Sequence, residues 1–259
     1  MRPGFMSSVL PQQTIGELIG AAQAYGYEGL EFRPEWGQRH GVELGVRPAW
    51  LRSAAAMLRE EGIAPSCIAT GCRFNIADLD TQSANRVKLR QYIALAAELG
   101  APLVRTFSDP LPEGDAAARD QVIAMAAASY QAVDEWAGQH GVTVLVETHT
   151  NMLAQHARTI LDRAQCEHLG VLWHISHHLV RGQSVDEAYG RLRGAVRHLH
   201  LAAQPEEHGA TLDDNQRMLS LLAADGFTGF ASVEIINPPN PQQVLAHHMS
   251  QFRQLVATL

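Results

Sequence analysis

Short apolar runs alternate along the chain with longer stretches in which apolar residues return at i, i+3 and i+4, a pattern that predicts strands alternating with helices. Strand candidates are FMSSVL (5 to 10), GLEFR (29 to 33), APSCIAT (64 to 70), PLVRTF (102 to 107), TVLVET (143 to 148), LGVLWHI (169 to 175), VRHLHLA (196 to 202) and FASVEII (230 to 236). Helix candidates between them include TIGELIGAAQAYG, AWLRSAAAMLREEG and AAARDQVIAMAAASYQAVDEWAGQHG. Several should stop where Gly26, Gly62, Gly100 or Gly141 can take a left-handed turn. Thr14 and Ser184, each with Glu three residues later, read as capped helix starts.

Eight strand–helix pairs predict an α/β fold, a (β/α)8 TIM barrel in which every parallel strand has two partners. The length of 259 residues suits one such barrel, so residues 1–259 are read as a single domain. The Pro-rich pieces near 112 and 237 are too short to be linkers. A formal charge of −7 gives no electrostatic reason to approach nucleic acid or an acidic membrane surface, and favours a small-molecule partner. Cys67, Cys72 and Cys166 are odd in number and lack metal or redox spacing, which fits a reducing, cytoplasmic setting. No apolar stretch reaches the roughly 18 residues of a membrane span.

The last four strand candidates end in residues able to bind a metal: Glu147, His174, His200 and Glu234. Strand side chains alternate faces, so all four can point into a barrel at the carboxyl ends of its strands, where such barrels place their reactive groups. A carboxylate closing an apolar strand is costly to bury unless paired, hydrogen-bonded or metal-bound. Two such glutamates, on strands five and eight, suit proton transfer from two sides. His198 shares a face with His200 but lies one layer deeper, and is read as a packing or supporting residue. Glu31, Arg33, Arg105 and His149 converge on the same mouth as substrate-binding candidates, with the arginines able to hold an oxyanion or to neutralise a carboxylate.

As a set and in order, GYEGLEFR, LVRTF, VLVETH, GVLWHISHH, HLHLA and GFTGFASVEI resemble the xylose isomerase-like barrel superfamily of sugar phosphate isomerases and epimerases, nearly end to end. The resemblance implies a divalent metal on Glu147, the position of His174, His200 and Glu234, with both glutamates moving protons and His177 touching substrate. It implies a metal-dependent isomerase or epimerase of a sugar, cyclitol or hydroxy-ketone, working through an enediolate. A dehydratase of the same superfamily is the alternative, followed by a non-catalytic barrel that binds a small molecule through a degenerate site. An endonuclease is disfavoured by Ala69 and Phe107, where further histidines would be needed.

The chain departs from the family pattern at His174, which stands where the family has Asp. Two Glu and two His neutralise a divalent ion, and the added nitrogen shifts the expectation within Zn, Mn, Fe, Ni and Mg toward zinc-like ions. After His200 the chain continues Ala202, Ala203, Gln204 and Pro205, without the Lys-Asp of many relatives, so phosphorylated substrates are less well supported. Substrate identity and any homo-oligomeric state stay open.

Overall fold

The computed structural model describes residues 1–201 and 210–259. Eight parallel strands close into a barrel in chain order, with β8 hydrogen-bonded back to β1. They are β1 (Arg2–Met6), β2 (Gly29–Phe32), β3 (Ala64–Arg73), β4 (Leu103–Phe107), β5 (Thr143–Glu147), β6 (Leu169–His174), β7 (Val196–Leu201) and β8 (Phe230–Val233). The helices that wrap them are α1 (Ile15–Tyr25), α2 (Pro48–Glu60), α3 (Leu79–Leu99), α4 (Ala116–Gln139), α5 (Ala154–Ala164), α6 (Ile175–Leu179), α7 (Val185–Leu192), α8 (Leu212–Ala224) and α9 (Pro241–Val256). Among the described residues, no helix is long and apolar enough to cross a membrane.

The helix boundaries follow the expected capping chemistry. Thr14 and Ser184 form capping boxes with Glu17 and Glu187, and Gly26 and Gly100 close α1 and α3 in the left-handed conformation. Outward residues such as Val104, Val146, Val171, Trp173 and Leu199 join the helices in the main core. Inward residues form a separate apolar floor of Cys67, Leu145 and Leu172, with Leu103 packed against it.

The first strand differs from the expectation. FMSSVL is not a strand throughout: β1 begins at Arg2 and ends at Met6, and Ser7–Val9 make a 3-10 turn. Ser7 is taken up by side-chain bonding, its hydroxyl donating to Gln38 and accepting from the Arg33 backbone N–H, which turns the chain away from the ladder. Small residues make room inside the barrel. A side chain at Gly29 would collide with the Phe230 ring, and one at Gly4 would meet the Ser232 hydroxyl at 2.8 Å. Ala202, Ala203, Gln204 and Pro205 lie outside the described residues.

Candidate metal centre

The period-two alternation of the strands sets the site. Above the apolar floor, β5 directs Leu145 and then Glu147 inward, β6 Leu172 and then His174, and β7 His198 and then His200. The register places His174 beside His200, and His200 beside Ser232. Glu234 follows the last residue of β8 and completes the ring at the carboxyl end of the barrel. One donor atom from each of Glu147, His174, His200 and Glu234 lies within 4.8 Å of all the others.

His200 is the hinge of the arrangement. Its Nε2 is 3.1 Å from both oxygens of Glu31, which fixes the ring and turns Nδ1 toward the mouth. Nδ1 lies 2.9 Å from Glu234 Oε2 and 3.3 Å from Glu147 Oε1, yet it makes no properly angled hydrogen bond to either. Both Glu147 oxygens are likewise buried without a hydrogen-bond partner. His174 Nε2 sits 3.4 Å from Glu234 Oε2. Four donor atoms this close together, with Nδ1 of His200 and the Glu147 oxygens left without a hydrogen bond, are what a bound cation requires, so the residues fit a divalent ion.

Charge accounting points the same way. Glu31, Glu147 and Glu234 bring three negative charges, and Arg105 brings one positive charge within 3.2 Å of Glu147 and 4.0 Å of Glu234. The two charges left over match a divalent ion held with neutral imidazoles. Burial alone would lower the basicity of His200, but the carboxylates of Glu31, Glu234 and Glu147 hold it well above its ordinary value. Burial would likewise raise the Glu147 carboxyl, and Arg105 with His200 instead brings it down to about 2. His200 and His174 outweigh burial to depress Glu234 as well. Both glutamates are therefore ionised at neutral pH.

Two expected pocket residues are placed behind the site instead. Glu31 is fully buried, with its carboxylate engaged by His198 at 2.9 Å as well as by His200. His198 in turn reaches the Ser232 hydroxyl at 3.0 Å, as its deeper position suggested. Arg105 is also buried, donating from Nη1 to the Thr70 carbonyl at 3.1 Å and stacking over Phe107. Each of these charges is spent on a neighbouring side chain of the candidate site. Arg33 and His149 follow the carboxyl ends of β2 and β5, and His177 lies in α6 directly after β6, all three only partly buried. The His177 ring lies between those of His149 and His174, at 4.5 and 4.2 Å, and burial with these two neighbours drops its imidazole to about 3.

Sequence reasoning missed Asp109, in the β4–α4 loop. It is fully buried, and its Oδ2 accepts from His149 Nδ1 at 2.7 Å and from the Thr150 hydroxyl at 2.7 Å, with Arg73 Nη1 at 3.4 Å. Burial would lower the His149 imidazole, but Asp109 raises it, and the bond leaves Nε2 for the pocket. The available signal was an aspartate just past the carboxyl end of a strand. His178 is structural: its Nε2 accepts from the Trp173 indole at 2.9 Å.

A family model described as xylose isomerase-like TIM barrel matches residues 19–255. No curated protein matches the sequence. Among solved structures, the chain is similar to a D-psicose 3-epimerase from Clostridium cellulolyticum H10, with a TM-score of 0.80, 13% identity and coverage of 99% of each chain. It is similar to a probable 3-DHS dehydratase of Bacillus anthracis, with a TM-score of 0.75, 18% identity and coverage of 98% of this chain and 99% of that one. It is also similar to an IOLI protein described with a binding zinc atom, with a TM-score of 0.75, 15% identity and coverage of 100% and 97%. At such identities these likenesses speak for the fold.

Proposed function

The chain belongs to the xylose isomerase-like TIM barrel family, and on that premise we propose that it is a metal-dependent isomerase or epimerase of a sugar, polyol or hydroxy-ketone. The observation that supports this most is the grouping of donor atoms of Glu147, His174, His200 and Glu234 within 4.8 Å of one another, with Nδ1 of His200 and Oε1 of Glu147 making no hydrogen bond. A divalent ion held there would supply Lewis acidity, polarising a carbonyl and its neighbouring hydroxyl. The nitrogen-rich donor set favours zinc or a similar ion. The reading takes residues 1–259 as one catalytic domain working in the cytoplasm on a soluble substrate.

The side chains then divide the work. Glu147 comes from β5 and Glu234 from the end of β8, so a substrate between them is flanked by two ionised carboxylates. One removes the proton alpha to the carbonyl and the other returns a proton, through an enediolate of the substrate. Arg105 keeps Glu147 ionised and oriented. Glu31 holds His200 in one tautomer. His149 and His177 meet substrate hydroxyls at the mouth.

Water loss after the same proton abstraction is a second reading, favoured by the Asp109–His149 pair. A carboxylate-held imidazole with Nε2 facing the pocket can protonate a departing hydroxyl. The test is incubation of the zinc-loaded protein with a panel of ketoses and cyclitol ketones in deuterium oxide, followed by mass spectrometry. Isomerisation gives product of the substrate's composition with deuterium at carbon, and dehydration gives product lighter by one water. Neither deuterium at carbon nor a product lighter by one water, across the panel, would contradict both.

A further inference from the structure

Arg33 follows the last residue of β2 and stands two positions beyond Glu31, so it projects from the same inward face one step nearer the mouth. Its guanidinium carbon lies over the Trp36 ring, 3.8 Å from the centroid. Glu35 and Trp36 hold positive φ angles of 73° and 54°, a turn that lays the indole against Arg33. Glu35, the acid nearest in sequence, is engaged instead by Lys88 at 2.7 Å and by the Tyr92 hydroxyl at 2.8 Å.

Among the described residues, no carboxylate lies within 4 Å of the Arg33 guanidinium, and its buried Nε has no hydrogen-bond partner. Burial and the charge of Arg105 weaken its hold on its proton, while Glu234, Glu147 and Glu35 strengthen it, so it feels the charges of the site without touching them. With a divalent ion in place, Glu31, Glu147 and Glu234 are balanced by that ion and Arg105. Arg33 is then left half-buried beside an aromatic platform, with no ion-pair partner of its own among the described residues.

We propose that Arg33 is the anchor for a single carboxylate on the substrate, which makes the ligand a hydroxy-keto acid and not a neutral sugar. This rests on the isomerase or dehydratase reading of the same site. A planar guanidinium with an unpartnered Nε matches a carboxylate through two parallel bonds.

Calorimetric titration of the zinc-loaded protein with D-fructose, D-fructuronate and D-fructose 6-phosphate tests the assignment. The uronate should bind about tenfold tighter than the ketose, or more. In Arg33→Gln that ratio should fall to near one with zinc content unchanged, and Arg33→Lys should retain part of it. Equal binding of ketose and uronate by the wild type, a preference for the phosphate, or a uronate preference that survives in Arg33→Gln would overturn the carboxylate anchor alone. Failure of all three probes to bind the zinc-loaded protein would overturn both the anchor and the catalytic reading.

Discussion

His200 and Glu31 are joined through one imidazole nitrogen, Nε2, which lies 3.1 Å from each carboxylate oxygen and leaves Nδ1 turned toward Glu147 and Glu234. A carboxylate behind a ligating histidine fixes its tautomer and orientation and raises its donor strength. The bond links β2 to β7 through the barrel interior, so it connects the rigid scaffold to the site.

Replacing Glu31 should therefore weaken metal binding without removing a ligand. Glu31→Gln is expected to lose about 10- to 100-fold in zinc affinity, measured by competition with a chromophoric chelator. Unchanged affinity in a folded variant would show that the bond is only packing.

The two carboxylates proposed to move the proton should separate by isotope. Glu147→Gln and Glu234→Gln should each reduce turnover by about 10²- to 10⁴-fold, and the variant lacking the first base should stop solvent deuterium from entering recovered substrate. Full exchange in both variants would place the base elsewhere, with His149 the next residue to replace.

On the proposed site, His174 should set the metal preference. In His174→Asp the donor set gains a negative charge and loses a nitrogen, so the ratio of manganese to zinc affinity should rise on the order of tenfold. Equal ratios in the two proteins would mean that His174 does not contact the ion.

Away from the site, His40 should make the fold sensitive to acid. Its Nδ1 accepts from the Val42 N–H at 3.0 Å and its Nε2 faces the Arg33 carbonyl at 3.3 Å, and burial pushes the imidazole down to about 4. Because the folded pKa lies below the unfolded value of 6.5, the unfolded chain takes up the proton first as the solution is acidified. The contribution is present above about pH 6.5 and is lost as pH falls toward 4, amounting to roughly 3 kcal/mol in full. Urea denaturation at pH 7 and pH 5 should show a smaller loss on acidification for His40→Gln than for the wild type. Equal losses would contradict it.

The barrel and its four converging donors were legible because period-two alternation is a local property. Once TVLVET is a strand, Leu145, Glu147 and His149 share a face, and the same holds for Leu172 with His174 and for His198 with His200. What was not legible depends on register and on loops. The alternation put Glu31 and Arg105 on the inward face, but only cross-barrel geometry shows that Glu31 sits behind His200 and that Arg105 pairs with Glu147. Asp109 lies in a loop, where no periodicity marks a side chain as inward. FMSSVL misled because Ser7 satisfies its neighbours through its hydroxyl, a side-chain bond that ends the ladder where the hydrophobic pattern continues.

The central claim is that Glu147, His174, His200 and Glu234 share one divalent ion, and X-ray absorption at the metal edge on the zinc-loaded protein, with metal content measured on the same sample, tests it most directly. The account predicts one ion per chain with a mixed shell of nitrogen and oxygen donors at about 2.0–2.2 Å, including two imidazoles. A chain that retains no ion, or an ion whose shell lacks imidazole, would contradict it and leave Arg105 as the cation on which the two glutamates converge.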